Sequence, residues 1–218
     1  MGGDPKKTRV FGAGGRASRD DRARRPLFTS ALLGFLFLFS VSACGHAPPL
    51  PEVEAKHIVT PGGVWFDEAC TPTGPEICGN AIDDNCNGII DEGCGLRTGK
   101  VQFEVAWSEP SAVVELTVSD PQGNRIDASH NETPPPSSLK MDRRCPMDGC
   151  GGQNVDNIVF VGETPMPGQY TVDVRLVDQG HARLPIKVHF GWRVGNRVSG
   201  SALMLGAMDE KKEFSFEL

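Results

Sequence analysis

Apolar and polar residues alternate along much of the chain from residue 96 to residue 218. Val101, Phe103, Val105 and Trp107, for example, are separated by single polar or small residues. A period of two predicts β-strands with one buried face. Turn residues separate these segments, and no segment keeps a helical period. The sequence therefore predicts strands over residues 100–107, 112–119, 155–161, 169–177, 184–190, 192–198, 202–205 and 211–218.

Many short strands with turn signals between them are typical of a β-sandwich. We therefore predict a mainly β protein in which residues 98–218 form an antiparallel sandwich of Ig-like or jelly-roll-like type. Residues 127–154 are rich in Pro and Gly and interrupt the strand pattern. We expect a long irregular loop there, because loops of that length rarely occur within a compact domain unless they have a special role.

Residues 1–43 have the order of a secretory leader. Residues 1–26 are basic, residues 27–41 (LFTSALLGFLFLFSV) are weakly polar to apolar, and small residues precede Cys44. The apolar run is short for a membrane span but suits a signal peptide. Residues 41–44 (VSAC) resemble the lipobox of bacterial lipoproteins, which implies a lipid on Cys44 and a membrane anchor. A plain secretory signal, cleaved near this point, is the alternative.

Residues 44–63 carry four prolines and few apolar residues. We expect them to form an extended tether between the anchor and the folded part. Removing residues 1–43 takes away eight basic and three acidic residues and leaves 14 basic and 25 acidic ones. This acidic balance argues against nucleic acid as a partner. We therefore predict an envelope protein, held by its lipid in the outer membrane on the periplasmic face or at the cell surface.

Six cysteines besides Cys44 would lie in an oxidising compartment, where disulfides are the default. Four recur every eight residues and two follow in the predicted loop: Cys70, Cys78, Cys86, Cys94, Cys145 and Cys150. We expect the first four to pair among themselves, in one of three ways, and the last two to pair with each other. Zinc is the alternative for the first four, although their gaps are longer than those of usual zinc-binding pairs.

Residues 83–92 (DDNCNGIIDE) lie in the cysteine-rich module, residues 64–97. They read D-x-N-x-N-G with an acid at the ninth position, which is most of a calcium loop. Such loops offer oxygens at alternate positions to a hard cation, and the glycine permits the sharp turn. The ligands that we predict are Asp83, Asn85, Asn87, the carbonyl of Ile89, Asp91 and Glu92.

Cys94 occupies the twelfth position, where a helix-loop-helix calcium site has a bidentate Glu. We therefore expect a structural Ca²⁺ with a dissociation constant of about 0.1 to 1 mM, in the range of extracellular sites. The alternative is a turn rich in Asp, Asn and Gly that binds no ion, because ordinary turns use the same residues.

Residues 76–92 (EICGNAIDDNCNGIIDE) resemble the metal-binding motif E-x-C-N-G-x-D-D-D-C-D-G-x-x-D-E, which recurs in secreted and surface proteins of myxobacterial type. The motif is named after a copper-binding outer-membrane protein of methanotrophs. Here Asn85 and Asn87 replace aspartates, and Gly79 to Ala81 (GNA) departs from the Asn-Gly order. The resemblance implies a metal site. Copper(I) prefers thiolate, thioether or imidazole ligands, whereas this stretch offers oxygens once its cysteines are oxidised, so calcium is favoured.

Residues 98–218 also resemble, more loosely, the β-sandwich domains appended to bacterial secreted proteins. The matching positions are Trp107, residues 120–123 (DPQG) and residues 167–174 (PGQYTVDV). The resemblance implies a non-catalytic module for binding or adhesion.

No histidine lies in a recognisable nucleophile motif, and no glycine-rich phosphate loop leads into a helix, so we do not expect an enzyme. We predict a non-enzymatic envelope lipoprotein with a structural calcium loop, whose sandwich binds a protein or carbohydrate partner. The alternatives are a structural component of an envelope assembly and a metal-sequestering protein. Partner binding predicts an exposed aromatic patch among Trp107, Tyr170 and Trp192.

Overall fold

A computed structural model describes residues 52–67, 72, 74–143 and 154–218. Within these ranges the chain forms ten β-strands and no helix, so none is available to cross a membrane. The strands are β1 (His57–Val59), β2 (Val101–Trp107), β3 (Val113–Ser119), β4 (Arg125–Ile126), β5 (Leu139–Arg143), β6 (Val155–Phe160), β7 (Gln169–Asp178), β8 (Ile186–Val194), β9 (Arg197–Leu205) and β10 (Lys211–Glu217).

The strands form two antiparallel sheets of five. One sheet has the order β1-β10-β7-β3-β4, and the other has the order β5-β6-β2-β8-β9. The inner faces of both sheets meet in one apolar core, as expected for two sheets packed face to face. Its largest fully buried side chains include Trp192, Tyr170, Phe103, Phe190, Phe214 and Phe216. The predicted antiparallel β-sandwich is therefore confirmed.

The central strand β2 is buried on both faces. Phe103 and Val105 point into the core, yet Gln102 and Glu104, which alternate with them, are also fully buried. An antiparallel sheet with one solvated face would leave such polar residues exposed. Here the cysteine-rich segment, residues 74–97, covers the outer face of the sheet: the Gln102 side chain donates to the carbonyl of Ile90 at 3.3 Å.

The cysteine-rich segment contacts the sheet through small and branched apolar residues. Ile90 is completely buried. Ala81 forms a second apolar cluster with Ala106 of β2 and Val155 of β6. The described residues belong to one compact unit.

Two long strands replace three predicted short ones. The sequence predicts breaks near Gly191 and Gly200, but β8 and β9 run through them, and the two glycines face each other in register. The chain reverses just after β8, where Gly195 has a φ of 62°. Gly195 lies in a turn, whereas Gly191 and Gly200 permit a close approach between backbones. The alternation of apolar and polar residues does not distinguish these two roles of glycine.

Strands also occur in the segment that we expected to be an irregular loop and in the segment that we expected to be an extended tether. β5 lies within residues 127–154 and pairs with β6, with Leu139 fully buried. β1 lies within residues 44–63 and pairs with β10, and Ile58 packs against the core. Both strands are short and occur beside prolines and turn residues, so they give little periodic signal.

Candidate functional site

The cysteine-rich segment has no helix or strand over residues 74–97, and its shape comes from hydrogen bonds between side chains and backbone. Eight of its residues have positive φ angles, and five of them are glycines, for which this conformation carries no steric cost. They are Gly74, Gly79, Ala81, Cys86, Gly88, Asp91, Gly93 and Gly95.

Asp83 closes the turn at the start of the predicted ion loop. Its carboxylate accepts from the backbone N–H of Asn87 at 3.1 Å and from that of Gly88 at 2.8 Å. Gly88 has a φ of 85°, as the sharp turn in the predicted loop requires. The side-chain oxygens of Asn85 and Asn87 each accept from the backbone N–H two residues later, at 2.9 Å.

Asn85, Asn87 and Glu92 converge on one point. Both amide side chains donate to the same oxygen, Oε1 of Glu92. The other carboxylate oxygen of Glu92, Oε2, is enclosed, and no described residue donates a hydrogen bond to it. An enclosed carboxylate oxygen with no donor is costly in free energy, so this place suits a positively charged ligand.

Asp91 faces the other way. It is completely buried, and its carboxylate accepts from the backbone N–H groups of Gly79 at 2.9 Å and Ala81 at 3.1 Å. Its own N–H donates to Glu76 at 3.0 Å. Asp91 therefore ties the two ends of the segment together, and the structure separates it from the point where Asn85, Asn87 and Glu92 meet.

The loop residues fit an oxygen-liganded ion. Asp83 and Glu92 supply carboxylates, Asn85 and Asn87 supply amides, and the carbonyl of Ile89 lies on the same turn, which is the hard donor set that calcium prefers. In the described part of the chain, no three His, Cys, Asp or Glu side chains are grouped so that they could hold a metal. The amides and the carbonyl are therefore essential to any such site.

A disulfide joins Cys78 to Cys94, with an S–S distance of 2.09 Å. This bond excludes the two pairings of the first four cysteines in which Cys78 and Cys94 have other partners. Cys86 is disulfide-bonded as well. Cys70, Cys145 and Cys150, and the predicted lipidation site Cys44, lie outside the described residues.

A second group of acidic and amide side chains lies beneath the segment. Glu104 of β2 is fully buried against Asp91 and beside Gln102. Burial raises the pKa of Glu104 well above its usual range, and the neighbouring Asp91 carboxylate raises it further. Burial also raises the pKa of Glu76. The alternation along residues 100–107 places Gln102 and Glu104 on a polar strand face, and nothing in it indicates that another segment covers that face.

A cleft of about 420 Å³ separates the cysteine-rich segment from the outer face of β8 and β9. That volume lies within the range of small-molecule sites. The hydroxyls of Ser199 and Ser201 donate to backbone carbonyls. Burial lowers the pKa of His189, and Lys187 lowers it further. Residues lining the cleft include Asp67, Ile82, Asp83, His189, Ser199 and Ser201.

The aromatic patch predicted for partner binding does not form from the expected residues. Trp107 and Trp192 are at most 6% exposed, and Tyr170 is fully buried. The Trp107 indole N–H donates to the carbonyl of Ala112, and the Tyr170 hydroxyl donates to that of Met166, both at 2.9 Å. These side chains belong to the core, so that prediction is wrong. Among the described residues, Trp65 is an exposed aromatic side chain, with 86% of its surface accessible.

Comparison of the chain with protein-family models, with curated proteins and with solved structures finds no match.

Proposed function

We propose that this protein is a non-enzymatic lipoprotein of the cell envelope, in which a calcium-bound loop braces a β-sandwich that is presented for binding or adhesion. The basic and apolar leader and the small residues before Cys44 support the lipid anchor. Several acyl chains on one residue would hold the protein stably at the membrane, where a single chain would be marginal. The outer membrane is the proposed location.

The observation that carries the calcium proposal is the unpaired, enclosed oxygen of Glu92 beside Asn85 and Asn87. A divalent ion would neutralise this carboxylate and draw the amide oxygens and Asp83 toward itself. The ion would be structural, because the segment is short and has no helix or strand to hold its shape.

The ion would also act on the cleft. Asp83 both closes the ion loop and lines the cleft between the segment and β8–β9. An ordered loop therefore keeps this wall of the cleft in place, and a partner that contacts the cleft would bind more weakly once calcium is removed.

Calorimetric titration of the oxidised protein with Ca²⁺ tests the loop. We expect binding with a dissociation constant of about 0.1 to 1 mM. At about ten times the dissociation constant, linkage adds roughly 1.4 kcal/mol to the free energy of unfolding, which appears as a higher melting temperature. Glu92→Gln should weaken binding, whereas the exposed control Glu217→Gln should not. Absence of binding by the wild-type protein would refute the calcium proposal.

The anchor has its own test. Mass spectrometry of the mature N-terminus should find Cys44 acylated, and Cys44→Ser should release the protein from the membrane fraction. An unmodified Cys44 at the mature N-terminus would contradict the anchor and leave the calcium proposal untouched.

The burial of Trp107, Trp192 and Tyr170 favours a second candidate, a structural component of an envelope assembly. Such a component needs no aromatic binding patch, because it associates with copies of itself or with neighbouring envelope proteins. Light scattering separates the two functions: oligomers in solution support the assembly role, whereas a monomer that binds envelope carbohydrate or protein supports presentation.

A further inference from the structure

Acceptor oxygens exceed donors in the buried space between the cysteine-rich segment and β2. Gln102 and Glu104 of β2 are both fully buried there, opposite Asp91, which is also fully buried. The amide nitrogen of Gln102 is shared between Oε2 of Glu104 at 3.1 Å and the carbonyl of Ile90 at 3.3 Å.

Three enclosed oxygens in this space accept no hydrogen bond from any described residue. They are Oε1 of Gln102, Oε1 of Glu104 and Oε2 of Glu76. Buried polar atoms in folded proteins are nearly always paired, so three unpaired acceptors from neighbouring side chains require an explanation. The unpaired Gln102 oxygen belongs to a neutral amide, so repulsion between carboxylates does not account for it, and leaving it buried without a donor costs free energy.

The charged groups around Glu104 also favour the binding of a cation. The charged groups that act most strongly on Glu104 are Asp91 and Glu76, and Glu92 acts on Glu76; all are acidic. Asp91 and Glu104 are in direct contact. Two ionised carboxylates in contact repel each other, so the pair needs either a shared proton or a cation.

We propose that a hard divalent cation of the calcium type binds between Asp91 and Glu104, with the Gln102 side-chain oxygen as a further ligand. The charge of such an ion balances the two carboxylates, and it takes oxygen ligands alone. Neutral oxygens must complete its coordination, because the described residues hold no close group of three acidic, His or Cys side chains.

This site is distinct from the loop site. Asp91 and Glu92 are neighbours in sequence, yet Asp91 points toward Glu104 and Glu92 points toward Asn85 and Asn87. The buried ion would join the cysteine-rich segment to the sheet, whereas the loop ion would order the segment itself. The inference stands even if the loop binds no ion.

The experiment is an ion count on the full oxidised protein with Ca²⁺ as the probe. Equilibrium dialysis followed by atomic emission should find two ions per chain in the wild-type protein. Glu104→Gln should lower the count to one and reduce the calcium-dependent rise in melting temperature. Glu92→Gln should also lower the count to one, and combining the two substitutions should abolish binding. Glu217→Gln, an exposed control, should leave the count at two.

The outcomes separate this site from the loop. A count that falls with Glu104→Gln but not with Glu92→Gln would support the buried site and refute the loop site. A count that is unchanged by Glu104→Gln would overturn the buried site. If Glu104→Gln is also more stable than the wild-type protein in the presence of a chelator, a proton shared between Asp91 and Glu104 explains how the two carboxylates are accommodated. If Glu104→Gln does not fold, Gln102→Ala decides: a count one lower than that of the wild-type protein supports the buried site, and an unchanged count overturns the inference.

Discussion

Gly191 of β8 lies directly against Ala81 of the cysteine-rich segment, so that a Cβ atom at Gly191 would come within 2.3 Å of the Ala81 carbonyl oxygen. The same Cβ atom would lie 3.2 Å from Cδ1 of Ile90. A Cβ atom and a carbonyl oxygen that are not bonded to each other do not approach so closely in proteins. Only glycine at this position therefore lets the segment contact the sheet closely enough to bury Ile90 and Glu104.

Gly191→Ala should push the segment away from β8. We expect the free energy of unfolding to fall by about 1 to 3 kcal/mol, the usual effect of forcing extra volume into a packed contact. Urea unfolding measures the change. Gly62→Ala is the matched control, because a Cβ atom there meets nothing within 4 Å. Equal stabilities of the two variants would show that the contact is not as close as described.

The sequence predicts the sandwich well because its strands alternate. Phe103 and Val105 point inward as the period of two requires, and the turn at Asp120 is held by N–H groups of Gln122 and Asn124. It does not predict that Gln102 and Glu104 on the opposite face are buried. That burial depends on the segment packing on the sheet, which is a tertiary contact without a local signal.

The candidate site is predictable from the sequence only where its contacts are local. Asp83, Asn85 and Asn87 act within a few residues of each other, so their spacing predicts their turn. Asp91 keeps the predicted spacing but turns inward, because the N–H groups of Gly79 and Ala81 lie there to receive it. Those partners lie ten and twelve residues away, beyond the reach of a loop motif.

Phe66 should contribute far more to stability than its neighbour Trp65. Its ring packs with a centroid separation of 5.5 Å from Trp192 and 5.7 Å from Phe214, whereas Trp65 is 86% exposed. Phe66→Ala should lower the free energy of unfolding by about 3 kcal/mol. Trp65→Ala should change it by less than about 0.5 kcal/mol. Chemical denaturation of both variants checks this, and a large loss from Trp65→Ala would be inconsistent with its exposure.

The disulfide between Cys78 and Cys94 encloses the ion loop, with a sequence separation of 16 residues. Closing a loop of this length removes conformational freedom from the unfolded chain and contributes about 3 kcal/mol. Replacing both cysteines with Ala should therefore destabilise the protein by roughly that amount. Thermal unfolding with and without Ca²⁺ measures it. We expect weaker calcium binding in this variant, and unchanged binding would mean that the loop holds its shape without the bond.

Asp156 of β6 links the two sheets in the interior. It is fully buried, accepts from the backbone N–H of Leu116 on β3 at 3.3 Å, and forms an ion pair with Arg143 at 3.2 Å. Burial raises the pKa of Asp156 to about 7, and the opposing effects of Arg143 and of the Leu116 N–H do not offset it. The charged form is thus poorly accommodated in the folded protein.

The stability of the protein should therefore depend on pH through Asp156. Because its pKa is raised on folding, its contribution is fully present below about pH 4 and is lost as the pH rises toward 7, by up to about 4 kcal/mol. Asp156→Asn keeps an acceptor for Leu116 and removes the charge, so it should be more stable than wild type at pH 8. The difference in unfolding free energy should shrink as the pH falls from 8 to 4, whereas the exposed control Glu217→Gln should show no such trend. A constant difference between the Asp156 variant and wild type would place the titration of Asp156 outside this range, with Arg143 holding the carboxylate charged throughout.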